Sequence, residues 1–348
     1  MLVRPTNRTA GLAKNRLEAV VDGVTGFVLT VLVFDIIVPP KGLAASARRR
    51  GNHIVTTAIE HHAVLHTCEQ LEREGFSVTY LPVDGDGRVS LDAVAAALRD
   101  ETALVTAMYA NNEVGTIQPI AEIGALCRER RIPFHTDAVQ AGGLLSLDVK
   151  ALNVDLLSLS AHKLYGPKGA GVLYVRQGMR IQPQLLGGSQ ERNRRAGTEN
   201  VAGIVGTAEA LRRARAERVE EGARLAALRD RLIAGVLGIE GVRLTGHPAE
   251  RLPNSASFTL PGVEGESLLL NLDLIGVAAS SGSACTTGSV EPSHVLTAMG
   301  FSPMEARGHL RLTLGHSSDE GDVEYVVRHL PEIVERLRAL STRPAALA

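Results

Sequence analysis

From Gly42 onward two periodicities alternate along the chain. Apolar, β-branched runs at His53–Thr57, Ser77–Leu81, Ala103–Tyr109, Pro133–Thr136, Asp155–Ser160 and Ala170–Arg176 read as strands. Between them, apolar residues recur every three or four positions over Ala63–Glu74, Leu91–Leu98 and Ile120–Arg131, the period of a helix with one buried face. Strand–helix alternation of this kind predicts an α/β fold with a mainly parallel sheet and helices on both faces.

The pattern then changes. Asn200–Leu237 is a long, charged helical stretch that reads as a connector. After it, Val242–Leu244, Ser255–Leu260, Gly276–Ala279 and Leu310–Leu314 read as short strands. Helices at Ser267–Leu272, Val295–Met299 and Asp319–Leu340 complete a smaller α/β layer. The expected division is therefore an N-terminal segment 1–40, a large domain 41–218 and a small domain 219–348. Val24–Val38 is apolar and β-branched, but shorter than the roughly 20 residues a membrane span needs, so one or two buried strands are expected there.

Composition narrows the function. With 348 residues, 45% hydrophobic content and a net charge of -1, the chain is long enough for two cores. It lacks the basic excess of a nucleic-acid or anionic-membrane binder. Three scattered cysteines (Cys68, Cys127, Cys285) suit a reducing cytoplasm rather than a disulfide framework or a zinc site. Aromatics are only 3% and Trp is absent, which predicts an aliphatic core. Only Lys14, Lys41, Lys150, Lys163 and Lys168 among the 37 basic residues are lysines, so lysine chemistry has few candidates.

Lys163 stands out. A strand ends in Ser160, presents His162 and Lys163, then turns through Gly166, Gly169 and Gly171. A lysine in that position is expected to be partly desolvated and free to act as a Schiff-base nucleophile, with glycines nearby allowing a flat ring to approach the backbone; a surface lysine in a Gly/Pro turn is the plainer alternative. Asp137 closes the short apolar strand Phe134–Thr136, at the end that faces the crevice of a doubly wound sheet. A carboxylate there can pair with a protonated ring nitrogen, or simply cap a helix. His61 follows another strand and could stack on a planar cofactor or relay protons. His62 and His66, four apart, lack a third nearby ligand for a metal. Cys285 lies in Ser280–Gly288, a run of small residues, and reads as a nucleophilic thiol, whereas Cys68 and Cys127 fall on helical stretches and read as packing residues. Arg311, inside an apolar strand, needs an anion: a substrate carboxylate or an internal acid.

Taken in order, TxxxEHHAVLHTC, MYANNEVGTIQPI, FHTDAVQ, SLSAHKLYGPKGAGVLYVR, RAGTEN and SSGSACTTGSVEPSHVL resemble the cysteine desulfurases of the class V aminotransferase superfamily, in the branch that supplies iron–sulfur cluster assembly. The resemblance runs from about Lys41 to Leu340. It implies a fold-type I enzyme, with a seven-stranded type of sheet, that uses pyridoxal 5'-phosphate and works as a homodimer. Lys163 would bind the cofactor covalently. Asp137 would pair with the ring nitrogen, Gln140 would bond the ring hydroxyl, His61 would stack on the ring and Asn112 would orient cofactor and substrate. Ser160 and His162 would hold the phosphate, joined by Thr198 of the partner subunit. Arg311 would bind the carboxylate of L-cysteine. Cys285 would take the sulfur as a persulfide, for an iron–sulfur scaffold or for tRNA thiolation.

One stretch departs from that pattern. The resemblance implies a Gly-Thr-Glu-Ala-Asn-like phosphate loop just before Lys41, and Val24–Pro40 bears no likeness to it. Residues 1–40 therefore read as aberrant, as a reading-frame disruption or mis-called start upstream of Lys41 would produce. Losing two charge-assisted hydrogen bonds of roughly 1.5–3 kcal/mol each would weaken cofactor binding by about a hundredfold or more.

Overall fold

The computed structural model describes residues 29–33, 39–282 and 292–341. Seven strands make the large sheet: β1 (Leu29–Val33), β2 (His53–Thr57), β3 (Ser77–Leu81), β4 (Thr102–Thr106), β5 (Phe134–Asp137), β6 (Leu156–Ser160) and β7 (Ala170–Val175). Their order is β1-β7-β6-β5-β4-β2-β3. Pairing is parallel from β3 through β6, and β7 alone runs against its neighbours. The expected mainly parallel sheet is thus observed. Of the apolar run at 24–38, residues 29–33 form the edge strand β1, and the rest lies outside the described residues.

The central strands β2, β4 and β5 mix apolar and polar residues, yet every residue is buried because both faces of the sheet are covered. Four helices follow the early strands: α1 (Pro39–Ala47), α2 (His62–Arg73), α3 (Leu91–Ala97) and α4 (Ile120–Glu129). On α2 the buried side chains are Val64, Cys68 and Leu71, and on α4 they include Ile120, Ile123 and Cys127, one helical stripe each. Cys68 and Cys127 are packing residues, and burial pushes both thiols up to about 12. The buried polar groups inside the sheet are paired across strands. His135 on β5 bonds the hydroxyls of Thr106 (2.8 Å) and Ser158 (2.9 Å) on the flanking strands, and burial lowers its pKa to about 3, so it is neutral.

Helix α5 (Val201–Leu237) begins at Asn200, whose side chain accepts the Gly203 N–H at 2.9 Å. Its 37 residues reach about 55 Å. Ala208 and Leu211 pack in the core of the large sheet, while Leu228, Leu232 and Val236 pack in a second core. That second core lies on an antiparallel sheet, β8 (Arg243–Leu244), β9 (Ser255–Thr259) and β10 (His309–Thr313), in the order β10-β9-β8. It is covered by α6 (Gly265–Leu274) and α9 (Glu320–Ser341), through Leu268, Leu272, Leu330 and Val334. Short helices α7 (His294–Ala298) and α8 (Pro303–Arg307) join a third cluster in which Val295, Leu296 and Met299 meet Ile59, Met108 and Val114 of the large-sheet loops.

One expected strand is absent. Gly276–Ala279 pairs with nothing in the sheet: Gly276, at φ +81°, turns the chain out of α6, and only Ser280 forms a single bridge to Arg311. No described helix is long and apolar enough to cross a membrane.

Candidate active site

Because β2, β4, β5 and β6 are parallel, their carboxyl ends open on one edge of the sheet, where ligands bind in open α/β folds. The residues at or just beyond those ends are His61 after β2, Asn112 after β4, Asp137 closing β5, Ser160 closing β6, and His162 and Lys163 in the turn after it. Sheet topology alone therefore gathers these predicted residues onto one edge.

Asp137 is buried, and one of its oxygens accepts the Val139 N–H at 2.9 Å. Desolvation raises its pKa to about 6 against that single backbone bond. A half-satisfied buried carboxylate at a strand end calls for a cation or a further hydrogen-bond donor. Gln140 lies half-buried in the turn that follows.

His61 caps α2, with its Nδ1 accepting the Ala63 N–H at 3.1 Å. That bond leaves the proton on Nε2 in the neutral ring. Burial lowers its pKa first, followed by the charges of His62, Lys163, His294 and His66, so the ring stays neutral. The influence of Lys163 puts the lysine and the imidazole in one neighbourhood. His62 stacks on His66 with centroids 5.0 Å apart, and also approaches His294 at 4.7 Å. Among the described residues no three ligating side chains converge on a metal position.

Lys163 sits in a single 3-10 turn, Ala161–Leu164, which buries Ala161 and Leu164 and turns His162 and Lys163 outward. Lys163 is therefore exposed rather than desolvated as its place in the sequence predicts, because the turn rotates it away from the core. Tyr165 stops the turn in the left-handed region (φ 61°), and the Gly166 N–H returns to the Ala161 carbonyl at 2.8 Å. Ser160 Oγ and His162 Nδ1 are 2.8 Å apart. Burial and the charges of Lys163 and Lys168 hold His162 below its ordinary pKa, leaving neutral donors beside two lysines, a setting suited to an anion. Thr198 is exposed in the loop before α5.

Arg311 reaches the same edge from the small sheet. Its Nη1 donates to the Asn112 carbonyl, bringing two predicted residues together across the two sheets. Cys285 lies outside the described residues.

Two buried acids went unweighed in the sequence. Glu60 is fully buried beside His61; its Oε1 accepts the Thr57 hydroxyl and the Met108 N–H, both at 2.8 Å, and its Oε2 has no partner. Burial pushes its pKa up to about 8. Glu113, buried next to Asn112, accepts the Ser293 hydroxyl. The available signal was an acid with an apolar residue on one side in a loop that follows a strand, in IEHH and in NNEV.

Residues 37–326 match the aminotransferase class-V family model. The cysteine desulfurase IscS of Methanosarcina thermophila is 56% identical over 301 residues, covering 86% of this chain and 74% of that protein. The chain is a class V cysteine desulfurase. A solved NifS-like protein superposes with a TM-score of 0.85 at 34% identity, covering 92% of this chain and 87% of that one. The structure of SspA in complex with cysteine superposes with a TM-score of 0.73, also at 34% identity, over 87% of this chain and 86% of that one. The fold is thus that of the pyridoxal-phosphate-dependent desulfurases, and the edge fits that cofactor. Asp137 places a buried carboxyl at that edge, and Ser160 and His162 place polar groups beside Lys163 and Lys168. Lys163 directly follows His162, and its charge is felt at His61.

Proposed function

We propose that this desulfurase converts L-cysteine to L-alanine and carries the sulfur as a persulfide on Cys285. The observation that supports the reading most is the meeting of Arg311 with Asn112 at the edge that holds His61, Asp137 and Lys163. Pyridoxal phosphate, when bound, supplies the electron sink for a carbanion at Cα. Asp137 would pair with its ring nitrogen, Gln140 with its hydroxyl, and Ser160, His162 and Thr198 of the partner subunit with its phosphate, in a homodimer.

The chain's own groups then divide the work. Arg311 would bind the cysteine carboxylate and Asn112 would orient the bound substrate. The Lys163 amine would remove the Cα proton. Neutral His61, protonated at Nε2, is set to stack on the ring and to hand a proton to and from the sulfur. The Cys285 thiolate attacks the substrate sulfur, so an S–S bond forms as the Cβ–S bond breaks. That electron pair stays with the substrate, whose Cβ takes up a proton to become the methyl group, while Lys163 returns the Cα proton to complete alanine. A sulfur acceptor protein, such as an iron–sulfur scaffold, then takes the persulfide sulfur, in a reducing cytoplasm. Without a recognisable phosphate loop in 1–40, the half-saturating cofactor concentration is set mainly by Lys163, Asp137, Ser160 and His162.

Purified protein tests this. Cofactor titration should give a visible absorbance band that Lys163→Ala abolishes, and cysteine should yield alanine. Alanine formation undiminished in Cys285→Ser would remove Cys285 from the reaction. A chain that never develops the band at saturating cofactor would remove the whole reading.

A further inference from the structure

Glu113 takes no part in the chemistry above, yet several of that chemistry's supports meet on it. Its backbone is fixed by an Asx turn: the Glu113 and Val114 N–H groups donate to Asn111 Oδ1 at 2.8 and 2.9 Å, and Asn111 Nδ2 donates to the Ile59 carbonyl at 3.0 Å. Its carboxylate Oε2 accepts the hydroxyl of Ser293, and that same Ser293 Oγ caps α7 through the Leu296 N–H at 3.2 Å. Gly282 packs on the same carboxylate. A Cβ at Gly282 would lie 2.2 Å from Glu113 Oε2 and 2.3 Å from His309 Nδ1, so any side chain there would push the acid away.

Gly282 and Ser293 bracket the segment that carries Cys285, with only Pro292 between its end and Ser293. Both brackets are tied further into the site. Upstream, Ser280 exchanges two backbone hydrogen bonds with Arg311, at 2.7 and 3.2 Å. Downstream, His294 Nε2 bonds the Glu60 carbonyl at 3.0 Å, one residue before His61. His309 is held from behind by Ser257 Oγ at 2.7 Å, and α7 packs on Ile59, Met108 and Val114.

We infer that Glu113 is a positioning residue for sulfur transfer: one buried carboxylate fixes both roots of the Cys285 segment, against the strand that carries Arg311 on one side and the loop that carries His61 on the other. The inference rests on the desulfurase reading with Cys285 as sulfur carrier. Glu113 is not among the groups assigned above to substrate or cofactor. It acts mainly through Gly282 and Ser293, although the Arg311 charge is also felt at its carboxylate, so its removal should slow the attack by Cys285 far more than it weakens the capture of cysteine.

The test uses the cofactor-loaded enzyme and separates those two events. Cysteine binding is read from the change it causes in the cofactor spectrum. Single-turnover sulfur transfer is read from the mass of persulfide on Cys285. Glu113→Ala should leave the cysteine Kd within about twofold and slow persulfide formation by about tenfold to a hundredfold, the range expected when a reacting group is misplaced by about 1 Å. Ser293→Ala should give part of that loss, and the double variant should be no slower than Glu113→Ala, because both remove one contact. Glu113→Gln keeps an acceptor for Ser293 and should recover most of the rate. Wild-type persulfide formation in Glu113→Ala, a loss confined to cysteine affinity, or Glu113→Gln as slow as the alanine variant would each overturn the inference. Should Glu113→Ala fail to fold, Ser293→Ala and Gly282→Ala carry the same comparison. The anchoring is also read without catalysis: amide exchange at Ser280 and Leu296 should quicken by about tenfold or more in Glu113→Ala, and unchanged exchange there would refute it. Wild-type protein that forms no persulfide while that exchange does respond would instead refute the desulfurase reading alone.

Discussion

Replacing Asp137 with Asn should make the cofactor-free protein more stable and the enzyme inactive. The carboxyl has an ordinary value of 3.8 and is raised to about 6 by burial, with one backbone N–H opposing the shift. That gap corresponds to about 3 kcal/mol. The sign follows from which chain holds the proton. Below pH 3.8 the carboxyl is protonated in folded and unfolded chains alike, and no penalty exists. Between 3.8 and about 6 the unfolded chain ionises first, so stability falls as pH rises. Above about 6 the full penalty is present. Asparagine keeps the acceptor for the Val139 N–H and removes the charge, while any cost of its new amide group is independent of pH. The stability advantage of Asp137→Asn over the parent should therefore be larger near pH 8 than near pH 5, by about 1.5 kcal/mol. Removing the Asp137 charge also eases the neighbouring Glu60, whose pKa burial raises first and that charge raises further, and this adds to the advantage near pH 8 in the same direction. Urea denaturation of both cofactor-free proteins at the two pH values provides the measurement. A difference that does not change with pH would refute the reasoning, since it would mean Asp137 is not held as a strained, unpaired acid. With cofactor added, the variant should lose alanine formation, having nothing to keep the ring nitrogen protonated.

Three further outcomes are expected. Arg311→Ala should lower kcat/KM for cysteine by about tenfold to a hundredfold, the worth of one charge-assisted bond, with KM carrying most of the change in steady-state kinetics. Two helical glycines should respond with opposite signs in thermal denaturation. Gly124→Ala on α4 drives a methyl to 2.5 Å from the Leu152 carbonyl and should cost about 1–3 kcal/mol, whereas Gly222→Ala on α5 meets nothing within 4 Å and should stabilise by about 0.5–1 kcal/mol. Thiol titration of the native protein should leave Cys68 and Cys127 unmodified until denaturant is added, because their thiols are buried and ionise only near 12.

Much of this fold can be read from the sequence because most of its signals are local. β2 and β4 are short runs rich in β-branched residues, buried throughout, and α2 and α4 carry single apolar stripes; each is readable within a dozen residues. Gly276–Ala279 has the composition of a strand, but a strand also needs a partner, and there the chain meets β10 at one residue only. Helix α8 is too short to show a period. Its signal is instead the capping box of Ser302 and Glu305 with Pro303 at the first position, which the hydrophobic pattern does not register. The site divides in the same way. Asp137, Ser160, His162 and Lys163 close strands or directly follow them, so a parallel sheet sends them to one edge. The contact of Arg311 with Asn112 spans 199 residues and that of Glu113 with Ser293 spans 180, so no local window contains either pair. The outward turn of Lys163 depends on the burial of Ala161 and Leu164 beneath it, which is a property of packing rather than of spacing.

Helix α5 gives the molecule a property that neither sheet has alone. Its first turns are sealed by the core of the large sheet and its last turns by that of the small one, with no break in the hydrogen-bonded ladder between them. Melting either core strips the tertiary support from half of a helix whose other half is still packed, and helix formation is cooperative along its length. Helix α5 runs without interruption through residue 218, where the boundary is expected. Denaturation of the two parts should follow a single transition, and a destabilising change in one core should lower the melting temperature of both.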